Sequence, residues 1–290
     1  MNPSQFAYQR AGSVDDAIAL LQEHGEGAKL IAGGHSLLPI MKLRLAEPET
    51  LVDIGRIPEL LGVRRANGEI VIGALTTHHQ IATDAQIRSA IPLLADVAAT
   101  IGDRQVRNRG TIGGALAHAD PAADYPAAVL ALEAMIVARG AQGERRIPAR
   151  EFFLDFLTTA LQPDEVLTEV HISIPPEGHG WSYQKLANQA SGYAIVGVGA
   201  MADLDSQRVV ADVRVGVTGA AAVAWRAEAT EAALRGKRLE DGTVVAAADL
   251  VDGGIAFLDD LHGSAEYRRR VTRGLTRRAI LEAAARAGRG

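Results

Sequence analysis

Lys29-Leu30-Ile31-Ala32-Gly33-Gly34-His35-Ser36-Leu37-Leu38 carries an apolar run into a glycine pair, steps through a short polar turn and resumes apolar. Removing Cβ where a strand ends lets successive backbone N–H groups turn toward one point and approach a ligand closely. A diphosphate suits such a concavity of amides, and Ser36 adds a hydroxyl donor. Gly110-Thr111-Ile112-Gly113-Gly114-Ala115-Leu116 echoes the first stretch. One Gly-Gly bend is weak evidence for a site; two, each flanked by aliphatic or β-branched residues, favour a shared anion site.

Around these bends the pattern is that of a globular chain of 290 residues, 48% hydrophobic and 22% charged, with room for two domains. Aromatics make up only 4%, so the interior is built from Ala, Val, Leu and Ile. A formal charge of -5 argues against nucleic acid as partner. Cysteine is absent. That excludes disulfides, a thiolate nucleophile, and any iron–sulfur cluster or Cys-ligated zinc held by this chain, so redox chemistry here needs a borrowed cofactor. No signal peptide is visible and no window approaches the roughly 20 apolar residues of a membrane span, which leads to the expectation of a cytoplasmic protein.

Ser13 reads as the N-cap of a helix that Gly25 stops, and Lys29–Ala32 as the strand delivering the first bend. Leu37–Leu45 reads as a short helix, Leu51–Ile54 as a strand, and residues 62–73 as a hairpin about Asn67-Gly68. Helical segments follow at Thr76–Ala82 and Ile91–Ile101, then a polar approach at Asp103–Arg109 to the second bend. Asp120–Pro126 opens a helix over Ala127–Leu132; strands are expected at Met135–Ala138, Glu144–Pro148 and Val166–Ile174. Pro175-Pro176-Glu177-Gly178-His179-Gly180 is the domain boundary, giving domains 1–177 (subdomains about 1–54 and 55–177) and 178–290. Beyond it, strands at Trp181–Leu186, Tyr193–Leu204 and Val209–Gly219 precede helices at Ala224–Leu234, Val244–Leu258 and Leu275–Ala287.

Several motifs carry nothing. Gly197-Val198-Gly199-Ala200-Met201-Ala202 fits G-x-G-x-x-A, but no helix or acidic strand end follows, so it reads as small residues in a packed strand. The eight histidines form no metal set, and His78-His79 reads as one residue turned in and one out. No catalytic or metal-ligating set is recognised. In the basic tail, Tyr267, Val271 and Leu275 read as the packed face of a helix with its arginines solvated.

Ala32-Gly33-Gly34-His35-Ser36 and Thr111-Ile112-Gly113-Gly114, the latter preceded by Arg107-Asn108-Arg109-Gly110, resemble the flavin-binding medium subunits of the molybdenum hydroxylases, above all the aerobic carbon monoxide dehydrogenase branch. The likeness extends to Gly178-His179-Gly180, Tyr193-Ala194 and Ala265-Glu266-Tyr267-Arg268. It implies an α+β fold: a two-subdomain flavin-binding (PCMH-type) N-terminal domain, then a C-terminal α/β domain with an antiparallel sheet. It implies that Leu30, Ile31, Ala32, Gly33, Gly34, His35, Ser36 and Leu37, with Thr111, Ile112, Gly113, Gly114 and Ala115, wrap the FAD diphosphate. Asp124 matches an acidic FAD contact, Ile101 and Leu167 match apolar ones, Lys185 matches a lysine reaching the flavin, and Tyr193 covers one ring face. This chain departs from the pattern at Ala115, where Asn is usual, and at Gly192, where an acidic residue is common.

The function so implied is FAD-mediated electron transfer. A large subunit would hold the molybdenum cofactor and a small subunit the 2Fe–2S clusters, in a dimer of heterotrimers serving an external acceptor such as a quinone. The complex would be cytoplasmic or at the inner face of the membrane through its partners. Two alternatives stand beside it: a stand-alone flavin oxidase with FAD attached at His35, and a flavin-free interaction module built on the arginine helix.

Overall fold

A computed structural model describes residues 2–288. Its first unit is a parallel sheet of β1 (Ala7–Arg10), β2 (Ala28–Ile31) and β3 (Thr50–Asp53), ordered β1-β3-β2. Helix α1 (Val14–His24) starts where the Ser13 hydroxyl accepts the Asp16 amide at 3.1 Å, with Asp15 and Asp16 in the positive first turn. It ends at Gly25, whose φ of 54° a side chain would resist. The α1 stripe Val14, Ala17, Ile18 and Leu21 packs with Val52, Ile54 and Leu60 in a core of its own. Helix α2 (Leu37–Lys42) follows the first glycine pair, shorter than the sequence suggests because Arg44 turns to a φ of 58°.

The second unit is an antiparallel five-stranded sheet, order β4-β5-β10-β6-β7, from β4 (Val63–Ala66), β5 (Glu69–Gly73), β6 (Met135–Gly140), β7 (Gly143–Pro148) and β10 (Val166–Ser173). Asn67 and Gly68 both take positive φ, the geometry of a tight two-residue hairpin. Alternation sends Ile70, Ile72, Ile136, Ala138, Val170 and Ile172 to one face. Helices α3 (His78–Thr83), α4 (Ala85–Ala90), α5 (Pro92–Thr100), α7 (Ile112–His118) and α8 (Tyr125–Ala131) form the layer that this face buries against, while α6 (Arg104–Arg109), with no buried residue, packs on α3. The short α9 (Ala149–Phe152) leads into a small hairpin of β8 (Phe153–Asp155) and β9 (Thr158–Thr159).

Beyond it, an antiparallel sheet runs β11 (Gly180–Ala187), β12 (Ala194–Leu204), β13 (Val210–Thr218), β14 (Trp225–Arg226). Helices α10 (Glu228–Leu234), α11 (Asp241–Ala248) and α12 (Ala265–Arg286) complete it. A Cβ on Gly180 would lie 1.8 Å from the Ala283 carbonyl oxygen of α12, and one on Gly216 2.1 Å from the Ala127 carbonyl oxygen of α8. Helices from both halves of the chain thus rest on this sheet through missing side chains. Gly199 of the dinucleotide-like motif belongs to the same packing, where a Cβ would lie 3.3 Å from the Ala127 carbonyl oxygen.

The structure corrects the sequence reading at several elements. The polar approach at Asp103–Arg109 is the helix α6, capped by Asp103, whose carboxylate accepts the Val106 amide at 2.8 Å. The second Gly-Gly is no bend: Gly113 and Gly114 lie in the first turn of α7, with Thr111 as N-cap. The helix read at Val244–Leu258 stops at Ala248, and Gly253 and Gly254 with positive φ carry the chain away. The last helix begins ten residues before Leu275, at Ala265, where the Ser264 hydroxyl accepts the Tyr267 amide. Its packed face is Arg268, Thr272, Leu275, Thr276 and Ala279, whereas Tyr267 is exposed.

Arg268 is the reason for that rotation. Its Nη1 donates to the Ile195 and Gly219 carbonyls at 2.7 and 2.8 Å, and its Nη2 to both Asp260 oxygens at 2.7 and 2.8 Å. Carbonyls at the ends of two strands and a carboxylate need a planar donor fork, and Arg alone supplies it. Arg268→Met should lower stability by about 2–4 kcal/mol, because buried charge-assisted bonds are lost with nothing in their place. Asp260→Asn should cost less, since its side chain stays 39% exposed. Urea unfolding followed by Trp181 and Trp225 fluorescence measures both; equal losses would show that Arg268 has no special part.

Candidate functional site

The two glycine segments meet. A Cβ on Gly33 would lie 2.0 Å from the Arg109 carbonyl oxygen and 3.0 Å from the Gly110 Cα, so the backbones touch only because Gly33 has no side chain. Gly34 follows with a φ of 75°, a left-handed step that turns the chain into α2. Among the described residues, no acceptor takes the amides of Gly33, Gly34, His35 or Ser36. That is a run of free donors on a half-buried loop.

The second segment differs. Ile112 donates its amide to Thr76 at 3.1 Å, Gly113 to Ala74 at 2.9 Å, and Gly114 to the Thr111 hydroxyl at 3.2 Å. Gly113 is buried, and a Cβ there would sit 2.5 Å from that of Ala74. Its glycines serve close packing, and the donors of this segment are mostly spent inside the protein. The anion-binding amides belong chiefly to residues 33–36.

Side chains from both halves of the chain surround this junction. His78 is buried beneath Gly110, with Nδ1 3.1 Å from the Tyr125 hydroxyl. Burial lowers its pKa to about 4, and the nearby His35 and Arg107 push the same way, so the ring is neutral. Arg107 donates to the Ile101 and Gly102 carbonyls at 2.9 and 3.0 Å. On the other flank Lys185 of β11 meets Asp124 at 2.8 Å, both buried, and also donates to the Thr100 carbonyl at 3.3 Å. The Tyr183 hydroxyl donates to the second Asp124 oxygen. Burial raises the Asp124 pKa, and Lys185 and Tyr183 pull it back. Tyr193 is 42% exposed; partial burial and the nearby Asp120 raise the pKa of its hydroxyl, and Ser36 pulls it back. Loop 121–123 is tied to the C-terminal sheet as well: Thr218 donates to the Pro121 and Ala123 carbonyls at 2.9 and 2.8 Å.

Such a constellation offers donors for a diphosphate, cations at its rim and an apolar wall at Ile101. Residues 4–175 match the family described as FAD binding domain in molybdopterin dehydrogenase, and residues 181–283 the CO dehydrogenase flavoprotein C-terminal domain. The chain is 42% identical to the carbon monoxide dehydrogenase medium chain of Hydrogenophaga pseudoflava, covering 99% of each. It is 39% identical to the alpha subunit of the 6-hydroxypseudooxynicotine dehydrogenase complex of Paenarthrobacter nicotinovorans, covering 99% of this chain and 97% of that one. A solved structure of the Hydrogenophaga pseudoflava carbon monoxide dehydrogenase lacking the Mo-pyranopterin moiety superposes with a TM-score of 0.97 at 43% identity, over 99% of this chain and all of that one. The chain belongs to the FAD-binding medium subunits of the molybdenum hydroxylases.

For a medium subunit of this family, an oxidoreductase component with FAD as cofactor, the two departures acquire physical reasons. Gly192 has a φ of 74° and faces Gly102, where a Cβ would stand 3.5 Å from the Gly102 Cα. A side chain there would be strained in the backbone. Ala115 packs against the central core from α7. Leu30 and Ala32 pack on the first core, Ile31 accepts the Ile54 amide, and Leu37 opens α2. Leu167 is 5% exposed inside the central core.

Sequence reasoning gave Arg107 and Tyr183 no role of their own and left His78 as packing. A cavity of about 450 Å³ lies elsewhere, lined by Arg64, Glu69, Arg146, Glu169 and His171. Its charges are largely paired, Arg64 with Glu169 and His171 between Glu69 and Glu169, so it offers little to a diphosphate. Among the described residues no group of His, Asp and Glu could hold a metal, and no helix is long and apolar enough to cross a membrane.

The Asp124–Lys185 pair ties the two halves together at the junction. Lys185→Met should destabilise the chain by about 3–5 kcal/mol, since Asp124 is left buried without its cation. Joining Asp124→Asn to it should recover much of that loss, because neither charge then remains. Urea midpoints of the single and double variants decide; simple additivity would mean that the pair is not coupled.

Proposed function

We propose that this subunit passes electrons through FAD from the 2Fe–2S clusters of a small partner subunit to an external acceptor. A large partner would hold the molybdenum cofactor and oxidise the substrate. The absence of cysteine supports this division of labour, since the chain cannot ligate the clusters itself. Likeness along the whole chain to carbon monoxide dehydrogenase medium chains favours carbon monoxide as the substrate; an external acceptor such as a quinone and a cytoplasmic dimer of heterotrimers complete the proposal.

The observation that carries the reading is the run of free amides at Gly33–Ser36, pressed against Arg109–Gly110. These amides and the Ser36 hydroxyl would hold the diphosphate, with the Arg107 cation nearby. Ile101 would shield the cofactor on its apolar side and Tyr193 would lie over a ring face. Lys185 acts by way of Asp124: its ammonium is engaged by that carboxylate, which lies at the N-terminal end of α8. Bound FAD supplies the exchange between one-electron arrival and two-electron delivery.

Gly33→Ala tests the assignment, because its methyl would fall 2.0 Å from the Arg109 oxygen and part the two segments. The complex purified with its partner chains should lose its flavin absorbance with Gly33→Ala and keep it with Gly274→Ala, where a Cβ meets open space. Full FAD content in the first variant would remove the segment from the site. Acid precipitation should leave the flavin in solution; a yellow pellet would instead favour attachment at His35.

A further inference from the structure

Gly110 has a φ of -62° and a ψ of 141°, a conformation open to any residue, so its backbone angles do not require glycine. The requirement comes from one neighbour. A Cβ on Gly110 would lie 2.5 Å from Nε2 and 2.8 Å from Cδ2 of His78, with the Val106 carbonyl oxygen next at 3.2 Å. That imidazole cannot swing aside: it is 4% exposed, packs edge-on to Tyr125 at 5.2 Å between ring centroids, and is hydrogen-bonded to the Tyr125 hydroxyl. The backbone is joined at the same point, His78 donating its amide to the Gly110 carbonyl at 3.0 Å, with Thr77 and Thr111 bridged as a single antiparallel pair.

Gly110 also touches the first segment, since the site of a Gly33 Cβ is 3.0 Å from the Gly110 Cα. His78, Gly110 and Gly33 therefore stand in contact order, ring on backbone on backbone. Tyr125, which holds the ring, directly follows Asp124, the partner of Lys185.

We propose that His78 is a positioning residue: its imidazole, braced by Tyr125, sets the height of Gly110 and through it the spacing between the free amides of residues 33–36 and the second segment. Its consequence for cofactor retention rests on the flavin reading above; the wedge itself does not. The neutral ring suits the role, because a second positive charge buried beside Arg107 would cost more than it gained.

A double-mutant cycle in the complex purified with its partner chains tests it, using Gly110→Ala, His78→Ala and both together. Two readouts are taken: the FAD dissociation rate, from the rise in free-flavin fluorescence, and hydrogen–deuterium exchange over residues 104–116, which needs no flavin. Each single change should raise the dissociation rate by about tenfold or more. The double variant should be no worse than His78→Ala alone, since removing the ring frees the space that the added methyl takes. Exchange should follow the same pattern. Tyr125→Phe should speed FAD loss in the wild-type background and have no further effect once the ring is gone.

Additive losses in both readouts, or a Gly110→Ala variant indistinguishable from wild type, would overturn the proposal. Should the wild-type complex hold no flavin, the functional reading fails. The exchange cycle still judges the wedge, with recovery in the double variant upholding it and additivity rejecting it.

Discussion

Backbone-to-backbone contact at Gly33 is the constraint on which the rest depends. Two segments some 75 residues apart approach until the Cβ site of Gly33 falls 2.0 Å from the Arg109 carbonyl oxygen. Such an approach needs both to be held rigidly from behind. The first segment hangs from the end of a parallel strand, where Ile31 still accepts the Ile54 amide. The second is fixed by α6 and α7, each capped by a side chain, and by amides donated to Ala74 and Thr76. Neither unit alone makes the junction; it exists where the small parallel sheet meets the helical layer of the five-stranded sheet.

The C-terminal sheet closes on the same place through polar groups that would be costly to bury singly. Lys185, Tyr183 and Asp124 satisfy one another, and Thr218 satisfies two carbonyls of the 121–123 loop. Packing alone could hold these halves together, as the glycine contacts of Gly216 with α8 show. Hydrogen-bonded charge adds register, because Asp124 finds its partners in only one relative position of the two halves. Arg268 does the same at the start of β12, fixing the strand that Tyr193 precedes.

Much of this was legible in the sequence. Helix starts with a polar cap and acidic first turn, the Asn-Gly hairpin, and the alternating strands are encoded within a few residues of one another. So was the first glycine segment, whose strand, turn and helix follow in order. The second was misleading because Gly-Gly says only that side chains are absent, and absence serves either an open loop or a crowded helix start. Which of the two holds depends on Ala74, nearly 40 residues earlier in the chain. The tail helix was misread in part for a related reason: of the apolar stripe, Val271 and Leu275 do pack, but Tyr267 is exposed and a buried arginine with four hydrogen bonds takes the inner face instead. Periodicity assigns charge to solvent, and a cation that finds carbonyls and a carboxylate in the interior breaks that rule.

Glycine therefore does two kinds of work around one junction, and the hydrogen bonds separate them. At residues 33–36 the amides are unpartnered and the loop is half-buried, so what glycine frees is a set of donors. At 110 and 113 the neighbouring carbonyls and the His78 ring already occupy the space, so what glycine permits is closeness. A diphosphate needs the first kind directly and the second only as support. It follows that substitutions in the two segments should differ in character: those at 34–36 act on the donors themselves, one at 33 also forces the two backbones apart, and those at 110–114 act through the ring and the carbonyls beneath.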